Sequence, residues 1–446
     1  MKPRPPLPPG PYLVVGLARS GAAAALTLRA QGHEVIGCDA GRADAPGLRE
    51  AAGRLQAHGV EVHLDASGEA LAARVRTLVK SPGVPQSAPA ILAARRRGLP
   101  VLGELELAWR LLGNEFVAVT GTNGKTTTAE WIGHIHREAT RPVAVAGNVG
   151  TALSSLIGEA APQTTVVCEC SSFQLEDTTG FSPEVAVLLN LAPDHLDRHP
   201  TYEDYVAAKL RIFAHQGNDD VAVAPAGLGV EDLGGCARRV CFGAGARAEL
   251  SEGAGHLWWE EQPLVAVGEI SLPGEHNRHN AMAAAAACLA RGLERDAVAQ
   301  GLRSFRGVPH RLERVATSDG VTFVNDSKAT NVASTMVALR ALSGEVHLIA
   351  GGRGKAQDFA PLAPLVAAHC RVVYLIGEAA GELARALEPT GVELIDAGTL
   401  ERALARARAA AVPGATVLLS PACASFDQYS DFEARGEHFR ALVEGR

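Results

Sequence analysis

One stretch of the chain decides the fold, and it reads Val117-Ala118-Val119-Thr120-Gly121-Thr122-Asn123-Gly124-Lys125-Thr126-Thr127-Thr128. An apolar run of β-forming residues enters a glycine loop, and a helical segment follows through Ile135. Backbone N–H groups in such a loop bind anions, and the positive end of the helix dipole adds to the attraction. The order predicts a phosphate-binding loop, with Lys125 reaching the terminal phosphates and Thr126 binding a magnesium ion.

The loop departs from the usual spacing of such motifs. The pattern G-x-x-x-x-G-K-[ST] needs a glycine where this chain has Val119, so the motif is a shortened G-x-x-G-K-T. A strand–helix turn with a surface lysine is the competing interpretation. Because strand, lysine, threonine and helix follow one another in the expected order, phosphate binding is favoured.

Length and composition indicate a globular protein of several domains. A chain of 446 residues exceeds what one hydrophobic core supports, and 47% hydrophobic with 20% charged residues is an ordinary balance. The net charge of −7 argues against a nucleic-acid partner, which usually requires a basic surface. The proline-rich start lacks an apolar signal core, and no apolar run is long enough to span a bilayer. A cytoplasmic protein is therefore expected.

Strands and helices alternate on both sides of the loop and predict an α/β protein with three doubly wound domains. The predicted domains are an N-terminal Rossmann-like domain (1–104), a central P-loop-type ATPase domain (105–308) and a C-terminal Rossmann-like domain (309–446). Polar residues follow the apolar strands in each domain. Ligands of such sheets bind at the carboxyl ends of the strands, so the site residues are expected there.

The first domain begins with a mononucleotide-binding βαβ unit whose turn is Gly16-Leu17-Ala18-Arg19-Ser20-Gly21. Ala18 replaces the second glycine of the dinucleotide motif, which disfavours a nicotinamide-dependent dehydrogenase. Asp39 ends the second strand and leaves two interpretations open, a contact with a ribose or base and a cap on the next turn. Ser81 follows another strand, in a rigid turn where a ligand could lie.

The central domain carries further candidates. Glu169 ends an apolar strand, in the position of an acid that binds the magnesium ion of a nucleotide, and pairing with a neighbouring cation is the alternative. His195 lies in the run 194–198, Asp-His-Leu-Asp-Arg, which fits either a metal cluster or a turn. Lys209 lies on a helix predicted over 202–214, where a lysine is usually solvated or ion-paired.

Two regions later in the chain also place polar residues at element ends. Asn277 precedes an alanine-rich helix predicted over 281–290, and either contacts a nucleotide base or caps that helix. In the last domain, Lys328 and Lys355 follow predicted strands and suggest an anionic ligand such as a carboxylate.

Taken together, these loops resemble the Mur ligase family, and the resemblance runs from Gly16 to Arg435. The motif over 121–127 is shared by the wider ligase superfamily, which includes folylpolyglutamate synthase. Some segments are more similar to the family members that add D-glutamate, and these segments are 169–175, 194–198, 207–213, 325–331 and 420–428.

The resemblance implies an ATP-dependent amide ligase of peptidoglycan precursor synthesis. Its substrates would be UDP-N-acetylmuramoyl-L-alanine and D-glutamate, joined through an acyl phosphate. Its cofactors would be ATP and two Mg²⁺ ions, one bound by Thr126 and Glu169 and the other by His195 and Lys209. Lys209 would carry a carbamate derived from CO₂, because a hard metal prefers oxygen ligands. The enzyme would act as a monomer, with no nucleic-acid partner and no membrane span.

The resemblance also implies four groups of site residues. The catalytic group is Lys125, Glu169, His195 and Lys209. The ATP contacts are Gly121, Thr122, Asn123, Gly124, Lys125, Thr126, Thr127, Asn277, Arg311 and Asp326. The UDP-sugar contacts are Leu17, Ala18, Asp39, Ser81, Asn148, Ser171, Gln174 and His195. The D-glutamate contacts are Lys328, Thr330, Lys355, Ser425 and Phe432.

Two positions depart from the family pattern. Arg353 stands where some relatives carry an acid, and Ala40 follows Asp39 where others have a hydroxyl. Two other functions compete with the amino-acid ligase. A folylpolyglutamate synthase is disfavoured by the complete first domain, and a non-catalytic nucleotide switch predicts ATP binding without substrate-dependent turnover.

Overall fold

The computed structural model describes residues 2–43, 45–148, 150–195, 198–230, 232–243, 248–354 and 357–445. The chain forms two compact units, Met1–Phe305 and Arg306–Arg446. The first unit contains two sheets and the second contains one.

The elements of the first unit alternate as expected for an α/β protein. Its strands are β1 (Tyr12–Val15), β2 (Val35–Cys38), β3 (Glu61–His63), β4 (Thr77–Lys80), β5 (Val101–Gly103), β6 (Phe116–Thr120), β7 (Val143–Gly147), β8 (Thr165–Glu169), β9 (Val185–Leu188), β10 (Val221–Pro225), β11 (Arg238–Gly243), β12 (Leu250–Gly253), β13 (His256–Trp259) and β14 (Gln262–Ala266). Its helices are α1 (Arg19–Ala30), α2 (Pro46–Ala57), α3 (Pro89–Arg96), α4 (Glu104–Leu111), α5 (Lys125–Glu138), α6 (Ser172–Leu175), α7 (Tyr202–Leu210), α8 (Glu275–Ala290) and α9 (Arg295–Ser304).

The second unit repeats the alternation. Its strands are β15 (Glu313–Ser318), β16 (Val321–Asn325), β17 (Val346–Gly351), β18 (Cys370–Ile376), β19 (Glu393–Gly398) and β20 (Thr416–Leu419). Its helices are α10 (Val332–Ala341), α11 (Ala363–His369), α12 (Ala380–Leu387), α13 (Leu400–Ala410) and α14 (Phe432–Glu444).

The three sheets confirm the predicted doubly wound α/β class. The first sheet has the order β3-β2-β1-β4-β5 and is parallel throughout. The central sheet has the order β14-β13-β12-β11-β10-β9-β6-β8-β7, and the third has the order β15-β16-β20-β17-β18-β19. The sequence patterns did not predict the antiparallel pairings of β12 to β14 and of β15 with β16.

The strand β6 shows why helices cover both faces of the central sheet. Val117 lies in an apolar cluster with Trp131 of α5, whereas the next residue, Ala118, lies in a second cluster with Trp109 of α4. Successive residues of a strand point to opposite faces, so a continuous apolar strand needs a cover on each side.

The sheet order brings the candidate loops to one edge. In the first sheet, β1 and β4 are neighbours, and the chain leaves them toward opposite ends of the sheet. In the central sheet, β6 lies between β8 and β9, so the loops that follow these three strands are adjacent. Such points, where the strand order reverses, are the usual ligand crevices of α/β sheets.

Two predicted helix boundaries were wrong. Helix α7 ends at Leu210, because the next amides, from Ile212 to Ala214, bond three residues back in tighter turns. Helix α8 begins at Glu275 instead of 281, directly after Gly274, whose φ of 99° favours glycine at the turn into the helix.

Candidate active site

The phosphate loop joins β6 to α5 and depends on two glycines with positive φ. Gly121 has a φ of 150° and Gly124 has a φ of 84°, and residues with a Cβ atom rarely adopt such positive values. Lys125 begins α5, and its Nζ donates to the carbonyl oxygens of Gly121 at 3.1 Å and Thr122 at 3.0 Å. The ammonium group is therefore held against the loop, beside the positive end of the helix dipole.

A hydroxyl and a carboxylate meet beside this loop. Thr126 Oγ1 donates to Glu169 Oε2 at 2.7 Å, and Asn148 Nδ2 donates to Glu169 Oε1 at 3.2 Å. Glu169 is buried at the end of β8, where its backbone pairs with Val119 of β6. These oxygens are the ligand type that Mg²⁺ prefers, so the predicted pair of metal ligands fits this ion.

Histidine, cysteine and carboxylate side chains in the described parts of the chain do not gather in groups of three that could hold a metal ion. The Thr126–Glu169 pair therefore offers two protein ligands and leaves other positions to be filled. Magnesium usually keeps such an incomplete protein shell and completes it with water and substrate phosphates.

Lys209 also contacts the phosphate loop. Its Nζ donates to Gly121 O at 2.8 Å and lies 4.6 Å from the centre of the Tyr205 ring. The Tyr205 hydroxyl is in turn 3.0 Å from Thr122 Oγ1. Burial, followed by the nearby Lys125 ammonium, lowers the pKa of Lys209 to about 7. A large fraction of this buried amine is therefore neutral near pH 7.

His195 is more exposed than Lys209. Its backbone N–H donates to Asp194 Oδ1 at 2.9 Å, which is the turn that one of the two interpretations predicted. Its ring lies 4.9 Å from the Phe173 ring and 6.4 Å from the Tyr205 ring, measured between centres. His195 and Lys209 thus flank the same tyrosine, while Asp197 lies outside the described residues.

Two asparagines that sequence patterns did not single out support the phosphate loop. Asn190, after β9, accepts from the Asn123 N–H at 2.9 Å and donates to the Asn123 carbonyl at 3.1 Å. The buried Asn280 of α8 packs so closely on Gly124 that a side chain there would collide with its carboxamide. Asn277, in the first turn of α8, donates to Pro273 O at 2.8 Å, a local contact at the helix start.

The edge of the first sheet brings four predicted sugar contacts together. Asp39 accepts from the backbone N–H groups of Leu17 and Gly41, each at 2.7 Å. Ser81 Oγ donates to Gly16 O at 2.7 Å, across the point where the strand order reverses. The Asp39 carboxylate therefore caps two turns, as its second interpretation predicted. Ala18 lies in the same turn, exposed at the start of α1.

Ser171 and Gln174 hold the loop that follows Glu169. The Ser171 hydroxyl accepts from the Gln174 N–H, and the Gln174 side chain accepts from the Ser171 N–H, so the two form a capping box on α6. This box fixes the direction in which the chain leaves β8.

A buried lysine at the end of β4 was also missed by sequence reasoning. Lys80 Nζ lies 2.7 Å from Asp177 Oδ2 and 3.6 Å from Glu176 Oε1, and it donates to Val84 O at 2.9 Å. Arg198 Nη2 donates to the same Val84 carbonyl at 2.8 Å. These contacts join the loop after β4 to the segment after α6. A lysine at a strand end carries no local signal for such a distant partner.

In the second unit, Asp326 follows β16 and is buried. Its Oδ1 accepts from the Leu312 N–H at 3.1 Å and its Oδ2 from Ser420 Oγ at 2.7 Å. Burial raises the pKa of Asp326 to about 6 despite these bonds. Arg311 is exposed on the segment before β15.

Three segments of the second unit bring most of the predicted D-glutamate contacts together. Lys328 and Thr330 follow β16, Ser425 follows β20, and Phe432 begins α14. The fifth predicted contact, Lys355, lies outside the described residues.

Arg353, which departs from the family pattern, has a different partner. Its backbone exchanges hydrogen bonds with Ala424, and its guanidinium forms a two-pronged pair with Glu378, with both bonds at 3.0 Å. The arginine is therefore neutralised by a neighbouring acid of the same unit.

Across the described residues, none of the helices combines the length and apolar character that crossing a bilayer requires.

Three family models match the chain in order. They are described as Mur ligase MurD-like, N-terminal domain (residues 11–103), Mur ligase middle domain (119–288) and Mur ligase, glutamate ligase domain (310–423). A UDP-N-acetylmuramoylalanine--D-glutamate ligase of Acidobacterium capsulatum is 42% identical, with 97% of this chain and 95% of that protein covered. A protein of the same name from Pelotomaculum thermopropionicum is also 42% identical, with 97% and 96% covered.

The chain belongs to the Mur ligase family. Mur ligases are ATP-dependent amide ligases, and the chain is an enzyme of this class. The fold agrees with the solved structure of a UDP-N-acetylmuramate-alanine ligase, MurC, from Thermotoga maritima. That structure has a TM-score of 0.56, 20% sequence identity and coverage of 98% of this chain and 100% of its own.

Within this Mur ligase, the described residues form two separate groups of predicted contacts. The first unit brings together the phosphate loop, Glu169, Asn148 and Lys209, with His195 nearby through Tyr205. The second unit carries Asp326 and the three amino-acid segments. What sequence reasoning missed are side chains that support these groups from distant segments.

Proposed function

We propose that this enzyme joins the carboxylate of UDP-N-acetylmuramoyl-L-alanine to the amine of D-glutamate, with ATP converted to ADP and phosphate. The observation that carries the proposal is the match to proteins of that activity name, at 42% identity over 97% of the chain. The chemistry of the loops supports it, because the chain combines a phosphate loop, a nearby acid and buried lysine, and lysine-bearing loops for an acidic amino acid.

The reaction has two steps. A carboxylate oxygen of the sugar-linked alanine attacks the γ-phosphorus of ATP, and the bond to the β-bridging oxygen breaks, so ADP leaves with the electron pair. The D-glutamate amine then attacks the carbonyl carbon of the acyl phosphate. The tetrahedral intermediate loses phosphate, and the nitrogen loses a proton to form the amide.

Electrostatic stabilisation is the main task of such a site, because two anions must approach each other. Lys125, held beside the helix N-terminus, would neutralise charge on the γ-phosphate. The loop N–H groups from Gly121 to Thr127 would bind the phosphates, with Asn277, Arg311 and Asp326 as further nucleotide contacts. Such donors are effective because the fold already holds them in position, so they need not reorganise when charge develops in the transition state.

Magnesium fits the donor set, and when bound it would neutralise phosphate charge. Thr126 and Glu169 would hold one ion. His195 and Lys209 would hold a second, with Lys209 as a carbamate. The lowered pKa of Lys209 supports this modification, since a neutral amine adds to CO₂ by forming an N–C bond and losing a proton. The product offers two anionic oxygens to a hard cation.

The substrates would bind at the two groups of loops. The UDP-sugar would contact Leu17, Ala18, Asp39, Ser81, Asn148, Ser171, Gln174 and His195. D-glutamate would contact Lys328, Thr330, Lys355, Ser425 and Phe432, with the lysines paired to its carboxylates. ATP and UDP-linked sugars are cytoplasmic metabolites, so the proposal assigns the enzyme to the cytoplasm. We also propose that it acts as a monomer.

The test is phosphate release by the purified protein with ATP, Mg²⁺ and UDP-N-acetylmuramoyl-L-alanine. D-glutamate is expected to stimulate release, whereas L-glutamate, L-alanine and meso-diaminopimelate are not. The matched control is Lys125→Ala, which should keep its fold and lose activity. Equal stimulation by another amino acid, or none by D-glutamate, would reject the proposal.

A further inference from the structure

Arg435 of α14 is a fully buried arginine in the second unit, with 1% of its surface exposed. Its guanidinium donates to four oxygens. Nε donates to Ser327 Oγ at 2.9 Å, and Nη2 donates to the carbonyls of Ser327 at 2.9 Å and Cys423 at 3.1 Å. Nη1 donates to Ala424 O at 3.4 Å. One side chain thus connects two separate loops.

Asp427 attracts the charge of Arg435 without forming an ion pair with it. No carboxylate in the described part of the chain lies within ion-pair distance of its guanidinium, and the four acceptors are three carbonyls and a hydroxyl. Burial lowers the pKa of Arg435 to about 10, so the group remains a cation at neutral pH. Burying an unpaired cation costs free energy, which a purely structural role could avoid with an apolar side chain.

The two loops that Arg435 connects carry the predicted amino-acid contacts. Ser327 immediately precedes Lys328, and Ala424 immediately precedes Ser425. The Ser327 hydroxyl also donates to the Phe432 carbonyl at 2.8 Å, which adds the first residue of α14 to the same network.

A further loop meets this network. The Arg353 N–H donates to Ala424 O at 2.9 Å, the carbonyl that Arg435 also contacts. Gly352, with a φ of 131°, packs so closely that a side chain there would collide with the Ala424 carbonyl. The guanidinium group of Arg435 therefore lies where these loops meet.

We infer that Arg435 is a positioning residue for the acidic amino-acid substrate, fixing Lys328, Ser425 and Phe432 relative to one another. Its positive charge also adds to the field that attracts a dicarboxylate. Small displacements of positioning groups cost large factors in rate, so one shared anchor can control the whole subsite. This inference rests on the proposed function.

The planar fork explains why arginine occupies this position. Five N–H donors in fixed directions reach both loops at once, whereas the ammonium group of lysine is a compact point charge. Arg435→Lys keeps the charge and removes the fork, and Arg435→Met removes both. The matched control is Arg440→Lys on the same helix, because Arg440 pairs with Glu313 and Glu437, each at 2.6 Å.

The experiment measures KM for each of the three substrates, kcat, and single-turnover formation of ADP from ATP and the nucleotide sugar without D-glutamate. We expect Arg435→Lys to raise KM for D-glutamate about tenfold or more and Arg435→Met to raise it further. KM for the other substrates and single-turnover ADP formation should stay within about twofold of wild type, since these steps do not need the amino acid. The Arg440→Lys control should leave all values unchanged.

Two results would overturn the inference while the proposed function stands. One is an unchanged KM for D-glutamate in a folded Arg435→Lys protein, and the other is an equal loss for all substrates. If both variants fail to fold, Arg435 serves folding and the positioning role is also overturned. Failure of the proposed function is recognised separately, because wild-type protein would then show no D-glutamate-stimulated phosphate release.

Discussion

Lys80 and Lys209 are both buried in the first unit, with 0% and 2% of their surface exposed, yet they have different partners. Lys80 lies 2.7 Å from Asp177 and 3.6 Å from Glu176. Lys209 donates to the carbonyl of Gly121 and, among the described residues, forms no ion pair. The first lysine is neutralised by acids, whereas the second faces a neutral oxygen and an aromatic ring.

The difference separates a structural cation from one suited to chemistry. A buried charge with a hydrogen-bonded counter-ion is stable as long as the pair is intact. A buried amine without one lowers its pKa and becomes partly neutral at physiological pH, as reactive lysines do. Lys209 shows this lowered pKa, and it lies against the phosphate loop.

Replacement of Lys209 should have the largest effect on activity. We expect Lys209→Met to lower kcat by about 10³-fold, because the loss of a charge-stabilising group at such sites has this order of magnitude. The free energy of unfolding should not fall, since the variant removes a buried amine without breaking an ion pair. Phosphate release and denaturant unfolding measure the two effects.

Short carboxylic acids test the carbamate in a second variant, Lys209→Ala. If the modified lysine supplies carboxylate-like oxygens, acetate or formate should partly restore activity to Lys209→Ala, whose cavity can admit them. Restoration by an amine such as methylamine, with none by carboxylates, would contradict the carbamate and favour the free ammonium group.

Replacement of Lys80 should have its main effect on stability. Lys80→Met leaves Asp177 buried without its counter-ion, and breaking one partner of a buried pair costs about 3–5 kcal/mol. The midpoint and slope of urea unfolding give the measurement. The active fraction should retain most of its kcat, in contrast to the Lys209 variant.

A double variant tests whether Lys80→Met loses stability because the carboxylate of Asp177 is left buried without a counter-ion. Lys80→Met combined with Asp177→Asn should recover part of the stability, because the amide is neutral and Gln86, at 2.7 Å from Asp177 Oδ1, remains nearby. If the double variant loses as much stability as the two single variants together, the lysine and the acid contribute independently to stability.

The two lysines should also differ in how stability depends on pH. Lys209 has a folded pKa of about 7 against 10.5 when unperturbed, so between these values the unfolded chain binds the extra proton. The stability of wild type relative to Lys209→Met should therefore rise with pH across this window, by at most about 1.4 kcal/mol per pH unit, and level off above it. The measurement is urea unfolding in bicarbonate-free buffer, and a flat difference would contradict the lowered pKa.

Much of the fold was predictable because its signals are local. Apolar strands followed by glycine turns and helices predicted three doubly wound α/β domains, and the structure contains three such sheets. The order of Gly121, Lys125 and Thr126 predicted the strand–loop–helix arrangement of a phosphate loop. The antiparallel extension β12–β14 was not predicted, because short strands at a sheet edge lack a strong pattern.

The supporting residues of the site could not be predicted in the same way. Asn190, Asn280 and Tyr205 reach the phosphate loop from distant segments, and no spacing in the sequence encodes their contacts. Lys80 and Lys209 illustrate the limit most clearly. Each reads as an ordinary lysine in an apolar context, and the presence or absence of a counter-ion is a property of the folded structure.

The exposed pair of Arg353 and Glu378 should give the smallest effect and completes the comparison. Its two bonds of 3.0 Å form a two-pronged pair, but water screens both groups. We expect Arg353→Gln to leave the midpoint of thermal unfolding nearly unchanged and to alter KM for D-glutamate less than about threefold. A drop in stability as large as that of Lys80→Met would show that geometry outweighs burial. A loss of stability much smaller than that of Lys80→Met would mean that burial, and not hydrogen-bond geometry, determines how much a charged pair stabilises this protein.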